Sequence, residues 1–103
     1  MNYQSNGKGN LRKLEEIKEQ PIVYPVSYEL KAVMESAVGD EESKEEIVKV
    51  FKKHNINFSF LNKKASSKGS YVSFTFKVTI ASQSQMHAIY DDLKKINGLR
   101  FAI

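Results

Sequence analysis

The chain has 103 residues, the size of one domain, which is long enough to bury a core without covalent staples. It contains no cysteine, which excludes disulfides, thiolate metal sites and thiol catalysis and fits a reducing compartment. No apolar run approaches the roughly 18 residues of a membrane helix, so we expect a cytoplasmic protein without a membrane partner. The net charge of +4 combines 16 basic and 12 acidic residues of interspersed sign. Nucleic-acid-binding proteins cluster their basic residues, so the charge argues against nucleic acid as a partner.

The first twenty residues differ in composition from the rest. Residues 1–10 are rich in Asn, Gly and Ser, which predicts a mobile N-terminal tail. Within that tail Asn10 is placed to cap a short helix with Leu11, Leu14 and Ile17 on one side, and such a helix is marginal unless it docks. We therefore divide the chain into a tail, 1–20, and a domain, 21–103.

The first half of the domain shows one strand and one helix. Residues 28–35 alternate between apolar and polar side chains, which predicts a half-buried strand. Helical spacing then predicts a helix over 41–54, with an apolar stripe of Ile47, Val50, Phe51 and His54. Ser43 and Glu46 have the spacing of a capping box at its start.

The second half contains the most regular pattern in the chain. After a second strand over 55–63 and a loop over 64–70, residues 71–81 alternate strictly, with Val72, Phe74, Phe76, Val78 and Ile80 on one side. Ser82 and Gln85 form a second capping-box pair ahead of a second helix. A last strand over 99–103 is predicted with Leu99, Phe101 and Ile103 on its buried side.

This order of elements predicts an α+β fold of ferredoxin-like βαββαβ type. Each helix connects two strands and each element has one apolar face, so the simplest packing is a four-stranded antiparallel sheet with two helices on one face. The other face is polar along the third strand, and we expect it to meet solvent or a partner.

Three segments carry a resemblance to a known family. They are Tyr24-Pro25, the stretch from Ser66 to Phe76, and Ser82 to Met86 followed by Ile89-Tyr90. Together they resemble the YbeD-like family of small bacterial proteins of unknown function, over roughly residues 22–103. The resemblance implies a ferredoxin-like fold close to the ACT regulatory domains of amino-acid metabolism. It supplies no established activity and hence no catalytic residues.

No residue pattern predicts an enzyme, a metal site or a cofactor. His54 and His87 are expected at helix edges, and the neighbouring Asp91 and Asp92 are expected in solvent. Acylphosphatases, which share the fold, bind phosphate with an arginine-bearing loop after the first strand. Here that loop, 36–40, contains no arginine and leads into an acidic helix start.

RNA-binding domains share the element order, so the third strand needs a direct comparison with them. Lys68-Gly69 and the strand after it imitate the RNA-binding signature with one residue missing. By strand parity only Tyr71 among the third-strand aromatics reaches the open face, whereas recognition on a sheet stacks two or three bases. RNA binding is accordingly the weakest of the functional alternatives.

The best candidate ligand site is the turn before the third strand. Lys68 would supply positive charge, Gly69 the backbone geometry and Ser66, Ser67 and Ser70 hydroxyl donors, with Tyr71 as a wall. The competing interpretation is a plain hairpin connection in which Gly69 adopts positive φ. Gly39, in the first strand–helix connection, is a second candidate with the same pair of interpretations.

Two functional hypotheses follow. In the first, the chain is a small non-enzymatic regulatory module that senses a small-molecule ligand, such as an amino acid, at a loop edge or a homodimer interface, as ACT domains do. In the second, it is a protein–protein interaction module that uses the open sheet face, a sheet edge or the tail.

Overall fold

The computed structural model describes residues 22–103, and its element order confirms the βαββαβ prediction. The predicted tail 1–20, and the proposed boundary at residue 21, lie outside the described residues. The elements in chain order are β1 (Val26–Glu35), a short 3-10 helix (Ser36–Val38), α1 (Asp40–Lys53), β2 (Asn57–Ala65), β3 (Tyr71–Ile80), α2 (Gln83–Lys94) and β4 (Leu99–Ala102).

The four strands form one antiparallel sheet in the order β2-β3-β1-β4. The two longest strands, β1 and β3, lie in the centre and pair over their whole length, from Val26 opposite Ile80 to Glu35 opposite Tyr71. The edge strands are β2 and β4. This arrangement is the ferredoxin-like sheet that the sequence pattern predicts.

The helix-facing side of the sheet forms the core. Leu30, Ala32 and Met34 of β1 and all five predicted β3 residues are buried there, as the alternation requires. They form one cluster with the apolar stripes of α1 and α2. Phe51 of α1 meets Phe76 of β3 edge to face, with ring centres 5.1 Å apart. Both helices therefore cover the same face.

The two helices begin in different ways. α2 has the predicted cap, because the Gln85 N–H donates to the Ser82 hydroxyl oxygen at 3.2 Å. The predicted capping box of α1 is wrong: Ser43 is buried inside the helix, and its N–H donates to the carbonyl of Gly39 at 2.9 Å. Gly39 occupies the cap position with φ +99°, a conformation that glycine reaches without steric cost.

Each edge strand contains a bulge. In β2 the extra residue is Leu61, because Phe60 lies opposite Phe76 whereas Asn62 lies opposite Thr75. A bulge places two residues opposite one and so exchanges the two faces beyond it. The buried side of β2 therefore ends at Phe60.

The bulge in β4 overturns one sequence prediction. Phe101 lies opposite Val33 and Leu99 opposite Met34, so Arg100 is the extra residue. Consequently Leu99 and Ala102 pack with the core, and Phe101 and Ile103 lie on the other face. The predicted common side for Leu99, Phe101 and Ile103 is therefore wrong.

Candidate functional site

The β2–β3 turn is closed by its own first serine. The Tyr71 N–H donates to the Ser66 hydroxyl oxygen at 3.1 Å, and the Gly69 N–H donates to the Ser66 carbonyl at 2.9 Å. Gly69 has φ +77°, the backbone geometry expected of it in either interpretation. The Ser66 hydroxyl thus holds the hairpin together, whereas Ser67 and Lys68 are exposed at its tip.

This turn is attached to the end of β1. The Ser36 N–H donates to the Ser70 carbonyl at 2.9 Å, and the Gly39 N–H donates to the Ser36 carbonyl at 3.0 Å. The two candidate positions that the sequence analysis considered separately, the serine-rich turn and Gly39, therefore lie at the same end of the sheet and share Ser36 as a link.

A hollow of about 370 Å³ lies between the two segments. Three of the predicted site residues line it, namely Gly69, Ser70 and Tyr71, and the other side of the hollow is formed by Glu35, Ser36 and Ala37. Ser66, Ser67, Lys68 and Gly39 do not line it. The structure thus brings part of the predicted site together with the end of β1 and the start of the 36–40 connection, neither of which was predicted as a ligand site from the sequence apart from Gly39.

Ser36 is the most informative of these added residues. Its hydroxyl oxygen is buried and has no hydrogen-bond partner among the described residues. A buried hydroxyl without a partner loses its hydration and gains nothing in return, at a cost of about 1–3 kcal/mol. Such groups are rare in folded proteins, and Ser36 is the buried side chain among residues 22–103 for which the structure supplies no hydrogen-bond partner.

Glu35, which lines the hollow, pairs with a cation from β4. A guanidinium nitrogen of Arg100 lies 3.5 Å from a carboxylate oxygen of Glu35, and the guanidinium carbon lies 5.8 Å from the centre of the Tyr71 ring. Arg100 is the bulge residue of β4, so sequence parity gave no reason to place it here. All three side chains are partly exposed to solvent. The Glu35–Arg100 ion pair is therefore weak, and both of its charges remain available to a ligand.

A second polar cluster joins the two helices. The carboxylate of Asp92 accepts from His54 Nε2 at 2.7 Å and lies 3.0 Å from Lys53 Nζ. These hydrogen bonds, that of His54 first, lower the Asp92 pKa to about 2. The expectation that Asp92 is solvated is wrong, because the end of α1 packs over it. The cluster fastens α1 to α2 and has a sufficient structural role.

Two tyrosines form a third polar contact, between β1 and α2. The hydroxyl oxygens of Tyr28 and Tyr90 lie 2.6 Å apart. Burial raises the pKa of Tyr28 to about 12 and raises that of Tyr90 as well. Each hydroxyl is the other's partner, so this pair also has a structural explanation.

Within residues 22–103, no group of three or more His, Asp or Glu side chains is arranged to hold a metal ion. None of the helices in the described range has both the length and the apolar character needed to cross a membrane.

Comparison with known proteins gives a family. The profile of a family described as "Protein of unknown function (DUF493)" matches residues 19–103. A UPF0250 protein of Shewanella oneidensis is 34% identical over 90 residues, covering 85% of this chain and 92% of the relative. A UPF0250 protein of Shewanella putrefaciens is 33% identical with the same coverage. These relatives confirm the YbeD-like resemblance and are bacterial.

Solved structures give the fold. Protein HP0495 of Helicobacter pylori is similar with a TM-score of 0.61 at 14% identity, over 84% of this chain and 89% of that one. The ACT domain of GTP pyrophosphokinase from Chlorobium tepidum has a TM-score of 0.54 at 14% identity, over 75% and 94%. At such identities the likeness establishes the ACT-like ferredoxin fold alone.

Proposed function

The chain belongs to the DUF493 family of unknown function, and on that premise we propose that it is a small, non-enzymatic module of the bacterial cytoplasm that binds a small metabolite and acts as a regulatory domain. The observation that carries the proposal is the buried, unpaired hydroxyl of Ser36 beside the hollow. The ACT-like fold is compatible with this function.

The ligand class follows from the groups around the hollow. Glu35 offers a carboxylate to an ammonium group, and Arg100 offers a guanidinium to a carboxylate. Ser36 can donate to or accept from a ligand oxygen or nitrogen. Lys68, at the tip of the neighbouring turn, adds positive charge on the open side. A small zwitterion such as an amino acid matches this combination of one acid, two cations and one free hydroxyl.

The same residues argue against catalysis. A serine nucleophile needs a base within hydrogen-bond reach. The residues that line the hollow include no histidine, and their one carboxylate, that of Glu35, lies 3.5 Å from the guanidinium of Arg100. Ser36 and Ser70 therefore have binding roles in this proposal and no reactive one.

A thermal-shift screen over amino acids and nucleotides tests the proposal. Ligand at a hundred times its Kd should stabilise the fold by about 2.7 kcal/mol. Ser36→Ala and Lys68→Ala should each weaken that shift, while Ser59→Ala, an exposed serine on β2, should leave it unchanged. A confirmed ligand that binds Ser36→Ala as well as the natural chain would overturn the site, and the absence of any ligand would overturn the function.

A protein-interaction role is the second candidate, and the edge strand β2 favours it. This strand is nine residues long, and its middle exposes Phe60 and Leu61, which are 38% and 43% accessible. An unpaired edge can accept a further strand from a protein partner or from a second copy in a homodimer. Leu61→Lys should then convert an oligomer to a monomer in analytical ultracentrifugation, with Ser59→Lys as the control.

Nucleic acid is not proposed as a partner. Tyr71, 39% accessible, lies on β3, and the other open-face aromatic, Phe101, lies on β4 with β1 between them. The two rings do not form the adjacent stacking platform that single-stranded RNA requires.

A further inference from the structure

The turn that joins α2 to β4 contains an Asn-Gly pair, Asn97-Gly98. α2 ends at Lys94 and β4 begins at Leu99, so both residues of the pair lie outside helix and strand. Asn97 is exposed, and the Gly98 N–H donates to no backbone carbonyl among residues 22–103. The Gly98 nitrogen is therefore not held by secondary structure, and it directly follows a residue whose side-chain amide is open to solvent.

We propose that Asn97 is a site of spontaneous covalent modification, at which its side-chain amide is lost through a cyclic imide. The Gly98 backbone nitrogen gives up its proton and attacks Asn97 Cγ. The new N–Cγ bond forms, the Cγ–Nδ2 bond breaks, and ammonia leaves. Water then opens the ring at either carbonyl carbon and leaves aspartate or isoaspartate, so water is the only co-reactant. The inference goes beyond the proposed function, because neither residue lines the hollow.

The position of Asn97 sets it apart from the other asparagines of the described range. Gly98 has no side chain to shield its nitrogen, and glycine bends freely into the ring. The other three asparagines, Asn55, Asn57 and Asn62, are each followed by a residue with a larger side chain. Asn57 and Asn62 also lie within β2 and pair with β3. A paired strand has to open locally before its backbone can close such a ring, whereas the turn does not.

The charges around Asn97 favour the reaction. Asn97 lines a groove of about 450 Å³ between α1 and α2, and the charged residues that share this groove are Lys49, Lys53, Lys95, Glu46 and Asp92. The three ammonium groups outnumber the two carboxylates. Since a nearby cation stabilises an anion, the groove favours the deprotonated Gly98 nitrogen, the oxyanion that its attack creates and the carboxylate of the product.

The isoaspartyl product lengthens the backbone at a point that β1 holds. In isoaspartate the chain runs through Cβ and Cγ, which adds a carbon atom before Gly98. The Gly98 carbonyl accepts the Glu35 N–H at 2.8 Å, and a Cβ at Gly98 would collide with Val38, so the turn lies close against the end of β1. β4 has only four residues with which to resist a displacement. Isoaspartate at position 97 should therefore loosen β4.

Incubation of the full chain at mildly alkaline pH tests the inference. Peptide mapping by mass spectrometry measures amide loss at each asparagine and separates Asn97-Gly98 from Asn6-Gly7, the other Asn-Gly pair of the sequence. An isoaspartyl methyltransferase then measures isoaspartate in the isolated peptide. We expect Asn97 to react about ten times faster than Asn62 in the folded chain. The rate at Asn97 should stay within about five times its rate in urea, because the turn needs no opening.

A rate at Asn97 that is more than about five times slower in the folded chain than in urea would overturn the inference, because the fold would then protect the turn. Equal rates at Asn97 and Asn62 in the folded chain would also overturn it. The isoaspartyl form should melt about 4–8 °C below the unmodified chain, as for the loss of one hydrogen bond. Asn97→Asp, which gains the charge without the extra backbone atom, should melt with the unmodified chain. Equal melting of the isoaspartyl form would refute the loosening of β4.

Discussion

The two faces of the sheet follow the sequence to different degrees. On the helix-facing side, simple alternation along β1 and β3 places every core residue correctly, because ten unbroken pairs join the two strands. On the opposite side the same rule fails at Phe101 and Ile103, because a bulge interrupts the pairing of β4. Alternation is thus a reliable guide in the central strands and an unreliable one at the edges.

The largest effect that tests this contrast comes from the centre of β3. Phe76→Ala should lower the free energy of unfolding by about 3–5 kcal/mol, because Phe76 is fully buried against the ring of Phe51. Lys77→Ala, its exposed neighbour, should change it by less than about 0.5 kcal/mol. Denaturant titration measures both values. Equal losses would show that the register of β3 is wrong.

The turn that leads into β4 provides the next effect. Gly98 and Gly69 both have positive φ, and alanine there costs about 1–2 kcal/mol for the backbone alone. A Cβ at Gly98 would also collide with the side chain of Val38, whereas a Cβ at Gly69 meets open space. Gly98→Ala should therefore cost about 1–3 kcal/mol more than Gly69→Ala in thermal or chemical unfolding. Val38→Ala in the same chain should recover part of the difference, and no recovery would contradict the contact.

A pair of leucine substitutions tests the bulge itself. Ala102→Leu adds volume to the core and should cost about 1–3 kcal/mol. Phe101→Leu, on the other face, should cost less than about 1 kcal/mol. Without the bulge, Phe101 would lie in the core and Ala102 outside it. A larger loss from Phe101→Leu than from Ala102→Leu would therefore refute the assigned register of β4.

The smallest effect concerns pH and the helix layer. The pKa of Asp92 is lowered to about 2 from 3.8, so the bond to His54 stabilises the fold fully above about pH 4. That contribution should be lost as the pH falls from about 4 to about 2. Unfolding midpoints of the natural chain and of Asp92→Asn should therefore converge over this range. Asp91→Asn, an exposed neighbour, should run parallel to the natural chain, and parallel curves for Asp92→Asn would contradict the assignment.

The candidate site shows the same division between what alternation predicts and what it misses. The serine-rich turn is visible in the sequence because glycine and serine mark a hairpin. Ser36 is not visible in this way, because no local sequence pattern shows that its hydroxyl becomes buried without a hydrogen-bond partner. Arg100 reaches the site only through the bulge. The surroundings of Ser36 and of Arg100 both depend on contacts between residues that are distant in sequence.

The extra residue at Arg100 also matters when sequences of this family are compared. A chain that lacked one residue between Gly98 and Phe101 would have no bulge, yet Phe101 and Ile103 would keep the face they have here, because Phe101 already lies opposite Val33 and Leu99 opposite Met34. A single-residue gap at this point in an alignment would thus mark a relative with a regular last strand and an unchanged core. Such a relative would lack the side chain that meets Glu35 and Tyr71 here.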